Sequence, residues 1–328
     1  MFIWKKIRPF FRSFYRLLNA FNGFFYDFKR FFYYSGWKEN LKDNQVRNYN
    51  SAMVYHGLEK SLSYKKRNPN SGWSNAEKIL HRLSVANEKG ELGYHDKAAK
   101  GVLFQFLNLP ENKSLDKSKQ MLSELDKMDF QSNDLHGALQ YSINNYKKGI
   151  LETPEDFFLS RYSLREFSKE VVPNNTIERA VQLAMKTPSV CNRQAWHVFH
   201  SSEQEVIQKA LSYQSGNRPF GKEVKNLMII TTDLKAFFAG SEHYQHWIAG
   251  GMMSMSIIYA LHSLGVASCP LNWSQTPKAD KALREALKIE NNQTVIMMIA
   301  VGYPEKANIV CRSSRRPFHE VFSKLELR

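Results

Sequence analysis

Four short stretches of this 328-residue chain carry side chains that could bind and position a phosphorylated ligand. The first is Arg161-Tyr162-Ser163-Leu164-Arg165. Its arginines lie four residues apart on either side of a serine, so one turn of chain could aim both guanidiniums and the hydroxyl at one phosphate. Phe157, Phe158 and Leu159 before it and Phe167 after it should anchor the segment. The second, Thr187 to Trp196, gathers Pro188, Ser189, Asn192, Arg193 and Gln194. The third is Cys269-Pro270-Leu271-Asn272, and the fourth is a basic tail with Arg312, Arg315, Arg316 and Pro317. Each has a plainer reading by itself: an arginine pair on a solvated helix start, or Asn and Ser capping their own turn.

The elements that must position them are legible from periodicity. Ile177, Ala180, Val181, Ala184 and Met185 recur at helical spacing, so a helix ends near Lys186 and delivers Pro188-Ser189 into a loop. Trp196, Val198 and Phe199 read as a strand, which leaves Asn192, Arg193 and Gln194 in a loop where polar side chains can reach a ligand. A long helix follows, roughly Glu242 to Leu264, and Gly265 ends it. Its Gly250-Gly251-Met252-Met253 run is too small and apolar for a helix facing water. Val266 to Cys269 reads as a short strand with Pro270-Leu271-Asn272 at its end, and Thr294 to Gly302 as a buried strand.

Taken in this order, the four stretches resemble the FMN-dependent nitroreductase family over about residues 153–328. The resemblance implies an α+β fold with a mixed sheet flanked by helices, and a homodimer with the long helix at its centre. It implies FMN held by Arg161, Tyr162, Ser163, Arg165, Pro188, Ser189, Asn192, Gln194, Pro270, Leu271, Asn272, Arg312 and Arg315, with Arg315 the first choice among the tail arginines. It also implies NAD(P)H as a transient electron donor and a small-molecule acceptor of nitro, quinone or enone type. No catalytic side chain is named by the sequence, and the proton can come from solvent. One departure is Ala195, which stands where the family usually has proline. The family's substrate lid would fall on Tyr213 to Gly221, where nothing names a substrate.

Composition narrows the setting. The net charge of +15 and pI near 9.6 point to anionic partners. Three cysteines without CxxC spacing fit a reducing, cytoplasmic compartment and no disulfide framework. Histidines and carboxylates form no metal-binding spacing, and no P-loop or GxGxxG fingerprint occurs.

Residues 1–37 interleave many aromatics with Lys5, Lys6, Arg8, Arg12, Arg16, Lys29 and Arg30. No window reaches the ~18 uninterrupted apolar residues of a spanning helix. The pattern suits an amphipathic helix lying peripherally on the inner face of an anionic membrane, broken at Pro9 and Gly23. Packing onto protein is the alternative; nucleic acid fits less well, because no RNP-like or OB-like strand pattern accompanies the segment. Residues 38–152 read as a helical accessory region, with helices over 75–87, 97–107, 115–128 and 134–146. Within it, Tyr55 to Leu62 is similar to a segment that precedes nitroreductase modules in some bacterial surface-polysaccharide gene clusters. The rival to a flavoenzyme is therefore a membrane-associated accessory protein of polysaccharide assembly with a vestigial flavin pocket.

Overall fold

A computed structural model describes residues 2–132 and 136–327, with side chains described from Phe11 onward. The chain opens with α1 (Phe2–Tyr34), one uninterrupted helix. It runs through Pro9 and Gly23, contrary to the expected breaks. Glycine costs a helix about 1 kcal/mol and proline about 3 kcal/mol, too little to split 33 residues whose far end is firmly docked. That docking uses Tyr26, which donates to Asp280 Oδ2 at 2.7 Å and accepts from Arg284 at 2.5 Å. Burial, and then Asp280, push the Tyr26 phenol up to about 12, so it stays a donor. Arg30 is buried and donates to the backbone carbonyls of Asn291 (3.1 Å) and Gln293 (2.7 Å). Before this anchor, every residue from Phe11 to Asn22 is exposed.

The accessory helices are α2 (Asn44–Ser63), α3 (Trp73–Lys89), α4 (Tyr94–Leu107) and α5 (Asp116–Asp126). They enclose a core of their own, including Leu58, Ile79, Leu83, Val102, Leu103, Phe106 and Leu125. Asp43 caps α2 by accepting from Gln45 and Val46 N–H groups, and its carboxylate also meets Lys235 Nζ at 2.9 Å. The expected helix over 134–146 is not formed over 136–142. Its start includes residues outside those described, and among the described ones only α6 (Ile143–Lys147) is helical. Leu139, Tyr141, Ile143 and Tyr146 are all exposed, so a longer helix would bury nothing.

From α7 (Pro154–Leu159) and α8 (Asn174–Ala184) the chain enters a four-stranded sheet. The elements are β1 (Trp196–Ser201), α9 (Gln204–Leu211), β2 (Asn226–Asp233), α10 (Gln245–Ser263), β3 (Ala267–Asn272), α11 (Pro277–Ala286) and β4 (Gln293–Gly302). The order is β1-β2-β4-β3 with antiparallel neighbours, and a parallel bridge from Ser163 to Ser268 makes the pairing mixed. Alternation sends Met228 and Ile230 to the face covered by α8 and α10, and Leu227 and Ile229 to the face covered by α9 and α11. Gly250 lets α10 lie against β4: a Cβ there would fall 2.4 Å from Ile296 Cγ1.

Candidate functional site

Arg161 to Arg165 is extended rather than helical, with Ser163 bridged to Ser268 and the Leu164 N–H donating to the Ser268 carbonyl at 3.1 Å. The expected single turn is absent, yet the grouping survives for another reason. Arg161, Ser163 and Arg165 are two residues apart in an extended segment and so share one side. Phe157 anchors the segment by packing on Tyr259 and His262 of α10, and Phe167 by filling the space beside Gly302. Phe158 and Leu159, expected as anchors, are largely exposed.

A cavity of about 530 Å³ opens here, lined by Arg161, Tyr162, Ser163 and Arg165 together with Arg312 and Arg315 of the tail. Met255 and Tyr259 of α10 form its apolar wall. Among the described residues, no carboxylate pairs with any of these four guanidiniums. Arg165 instead donates to Cys311 Sγ at 3.5 Å, and Arg315 to the Ser313 carbonyl. Four cations and a hydroxyl around one cavity make a site for a dianion such as a phosphate ester.

The loop after α8 is held on both flanks. Cys191, Asn192 and Gln194 all have positive φ, at 51°, 51° and 52°, which non-glycine residues rarely adopt. Ser189 stabilises the loop from within: its Oγ accepts from Gln194 N at 3.0 Å and its carbonyl from Asn192 N at 2.9 Å. Arg193 is fully buried rather than reaching a ligand. It pairs with both carboxylate oxygens of Glu242, donates to the Ala236 carbonyl at 2.6 Å, and lies over the rings of Phe237 and Phe238. On the opposite flank the loop lies against α2, where Tyr49 and Val190 both pack on the Ala195, Ala236 and Phe237 cluster. Pro188, Ser189, Asn192 and Gln194 do not line the arginine cavity within one chain.

Residues 159–303 match the family model for the Nitroreductase family. The chain therefore carries a nitroreductase-family domain. A protein of Archaeoglobus fulgidus bearing the provisional name NADH dehydrogenase/NAD(P)H nitroreductase is 28% identical over 150 residues, covering 44% of this chain and 82% of that protein. An iodotyrosine deiodinase of Hydra vulgaris is 23% identical over 223 residues, covering 57% of this chain and 80% of that enzyme. Among solved structures, an FMN-dependent nitroreductase of Clostridium difficile aligns at TM-score 0.45 with 19% identity, over 52% of this chain and 98% of the other.

Within the nitroreductase domain, β3 runs on through Pro270, Leu271 and Asn272 instead of ending before them. An edge strand tolerates the missing N–H of Pro270, which is why the proline does not stop it. Leu271 is buried in the core beside Cys269, so its side chain is unavailable to a ligand; Pro270 and Asn272 lie on the other face. Burial pushes the Cys269 thiol up against the pull of Arg165, which keeps it protonated. The segment expected as a lid is tied to this strand end, with Gln214 Nε2 donating to the Asn272 carbonyl at 3.1 Å. Arg312 and Arg315 lie beyond the family match, so their place in the cavity rests on the geometry alone.

Proposed function

We propose that the chain is an FMN-dependent oxidoreductase that uses NAD(P)H to reduce a small acceptor of nitro, quinone or enone type. The observation that carries this reading is the set of four unpaired guanidiniums with Ser163 at one cavity inside a nitroreductase domain. Those donors suit the phosphate of FMN, while Met255 and Tyr259 offer apolar surface beside it. When bound, FMN supplies the hydride chemistry; the protein binds, orients and shields it. Beyond Ser268 the outer edge of β3 pairs with no other strand among the described residues; Gln214 takes the Asn272 carbonyl and Pro270 has no N–H, which leaves the Pro270 carbonyl and the Asn272 N–H for the flavin. Titration with FMN followed by NAD(P)H tests the reading.

A homodimer belongs to the same proposal. The arginine cavity and the Ser189–Gln194 loop are separate in one chain, and a second copy can bring one against the other. The surface supports this. Tyr244 just before α10 and Ile248 and Met252 on it are exposed, and the tail leaves Ile309, Leu325 and Leu327 almost wholly in water and Phe318 and Phe322 largely so.

The reading further places α1 on an anionic membrane surface. No described helix is long and apolar enough to cross a bilayer. The exposed stretch does carry Phe14, Phe21, Phe24 and Phe25 alongside Arg12 and Arg16, with no acid before Asp27. A basic residue near such a surface contributes about 1 kcal/mol, and salt screens it. A version lacking residues 1–22 keeps the Tyr26 and Arg30 anchors. It is expected to lose co-sedimentation with anionic vesicles that the full chain shows at low salt; equal binding by both would assign the aromatics to a protein interface.

A further inference from the structure

We propose that the cleft between α1 and α11 is a second anion site, built to take the phosphate of a monoester. It shares no lining residue with the arginine cavity, so it stands or falls apart from the flavin reading.

The cleft has a volume of about 400 Å³ and is lined by Lys29, Arg30 and Tyr33 of α1 and by Lys281, Arg284 and Glu285 of α11. Arg30 and Arg284 are 7% and 2% exposed, whereas Lys29, Tyr33, Lys281 and Glu285 face water. The two buried guanidiniums are neighbours, since both donate to the Gln293 carbonyl, at 2.7 and 3.5 Å. Their charges are balanced differently. Arg284 pairs with Asp280 at 2.7 Å, a carboxylate that also accepts from Tyr26 and Trp273. Arg30 has only neutral acceptors: the Asn291 and Gln293 carbonyls and, at 3.3 Å, the Thr294 hydroxyl. It makes no ion pair with Asp27 or with any other carboxylate among the described residues. The Nε–H of each arginine is buried without a hydrogen-bond partner. Burial, and then the Arg284 charge, pull the Arg30 guanidinium below its usual range, as expected of a buried cation without a counter-ion.

The lysines decide what kind of ion the cleft suits. Docking α1 uses Tyr26 and Arg30, but Lys29 and Lys281 add charge beside them and make no ion pair among the described residues. Lys29, Arg30 and Lys281 therefore lack an acid, and Glu285 can answer one of them, which leaves two positive charges in the lining. A phosphate monoester, with its second pKa at about 6, carries close to two negative charges at neutral pH. The arginines offer it fixed planar donors, the lysines flexible ones, and the exposed Tyr33 hydroxyl one more. Bound there, it joins α1 to α11 across the cleft and reinforces the contacts that hold α1 in place.

Calorimetric titration of the full-length protein with glycerol 3-phosphate at fixed ionic strength tests the site. Wild type is compared with a Lys29→Gln, Lys281→Gln double variant and with an Arg161→Ala, Arg165→Ala double variant, which disarms the other cavity. Both lysines are exposed, so their variant should fold as wild type does. Wild type and the arginine variant should bind alike at the cleft, and the lysine variant about tenfold or more weakly, because two charged partners are gone. No binding by wild type, or a loss confined to the arginine variant, would overturn the proposal. The source of the phosphate is separated by co-sedimentation with vesicles of equal anionic content. A preference for phosphatidic acid over phosphatidylglycerol that the lysine variant lacks assigns a lipid headgroup; binding of the soluble ester without that preference assigns a free metabolite. If no vesicle binds, the membrane reading of α1 fails while the calorimetry still decides the cleft.

Discussion

Replacing Arg161 and Arg165 together with alanine is expected to weaken FMN binding by about a hundredfold or more while leaving riboflavin binding nearly unchanged. A hydrogen bond to a charged group contributes about 1.5–3 kcal/mol, so two lost arginines remove about 3–6 kcal/mol before Arg312 and Arg315 compensate. The contrast between the flavins follows from their chemistry: riboflavin lacks the phosphate that the arginines would meet. Neither arginine pairs with a carboxylate, so their loss leaves no buried acid exposed and should cost little stability. Fluorescence quenching titrations with both flavins make the measurement. Parallel losses for FMN and riboflavin would show that the arginines shape the pocket instead of reading a phosphate.

Arg193→Ala is expected to act on stability, lowering it by about 3–5 kcal/mol. Arg193 is 1% exposed and reaches three acceptors: Glu242, the Ala236 carbonyl and the Val190 carbonyl. Burial alone would raise the Glu242 carboxyl. Arg193, helped by the Phe238 N–H, more than offsets this and holds it below the usual range. A carboxyl depressed in this way stabilises the fold above its unfolded pKa, and the contribution fades as pH falls through the folded value. Without Arg193 that contribution disappears, and Glu242 is left half-buried with a single backbone donor at 2.8 Å. Adding Glu242→Gln to Arg193→Ala should recover part of the loss, because the uncompensated charge goes while the amide can still accept. Urea denaturation decides it. A loss under about 1 kcal/mol would mean that the pair is relaxed by solvent.

What could be read from the sequence was the order of chemical groups, more than their local geometry. Arg161, Ser163 and Arg165 were grouped on helical spacing and are grouped in fact by extended spacing; i and i+4 fall on one side in both. The helices with a regular apolar face, α3, α4, α8 and α10, were visible because burial repeats along them. β2 was not singled out, since Leu227 to Ile230 is a four-residue apolar run with no periodicity of its own, made central only by pairing with β1 and β4. The missing helix over 134–146 had residues of adequate propensity but no surface to cover. Arg193 looked like a ligand residue because loop arginines usually face solvent; only the fold reveals Glu242 beneath it.

The central claim is most directly tested by the flavin itself. The full-length protein, incubated with FMN and freed of excess, should be yellow with stoichiometric flavin, and anaerobic NADH or NADPH should bleach its visible band. A protein that retains no FMN, or retains it but is bleached by neither nucleotide, would contradict the assignment of an NAD(P)H-dependent flavin oxidoreductase.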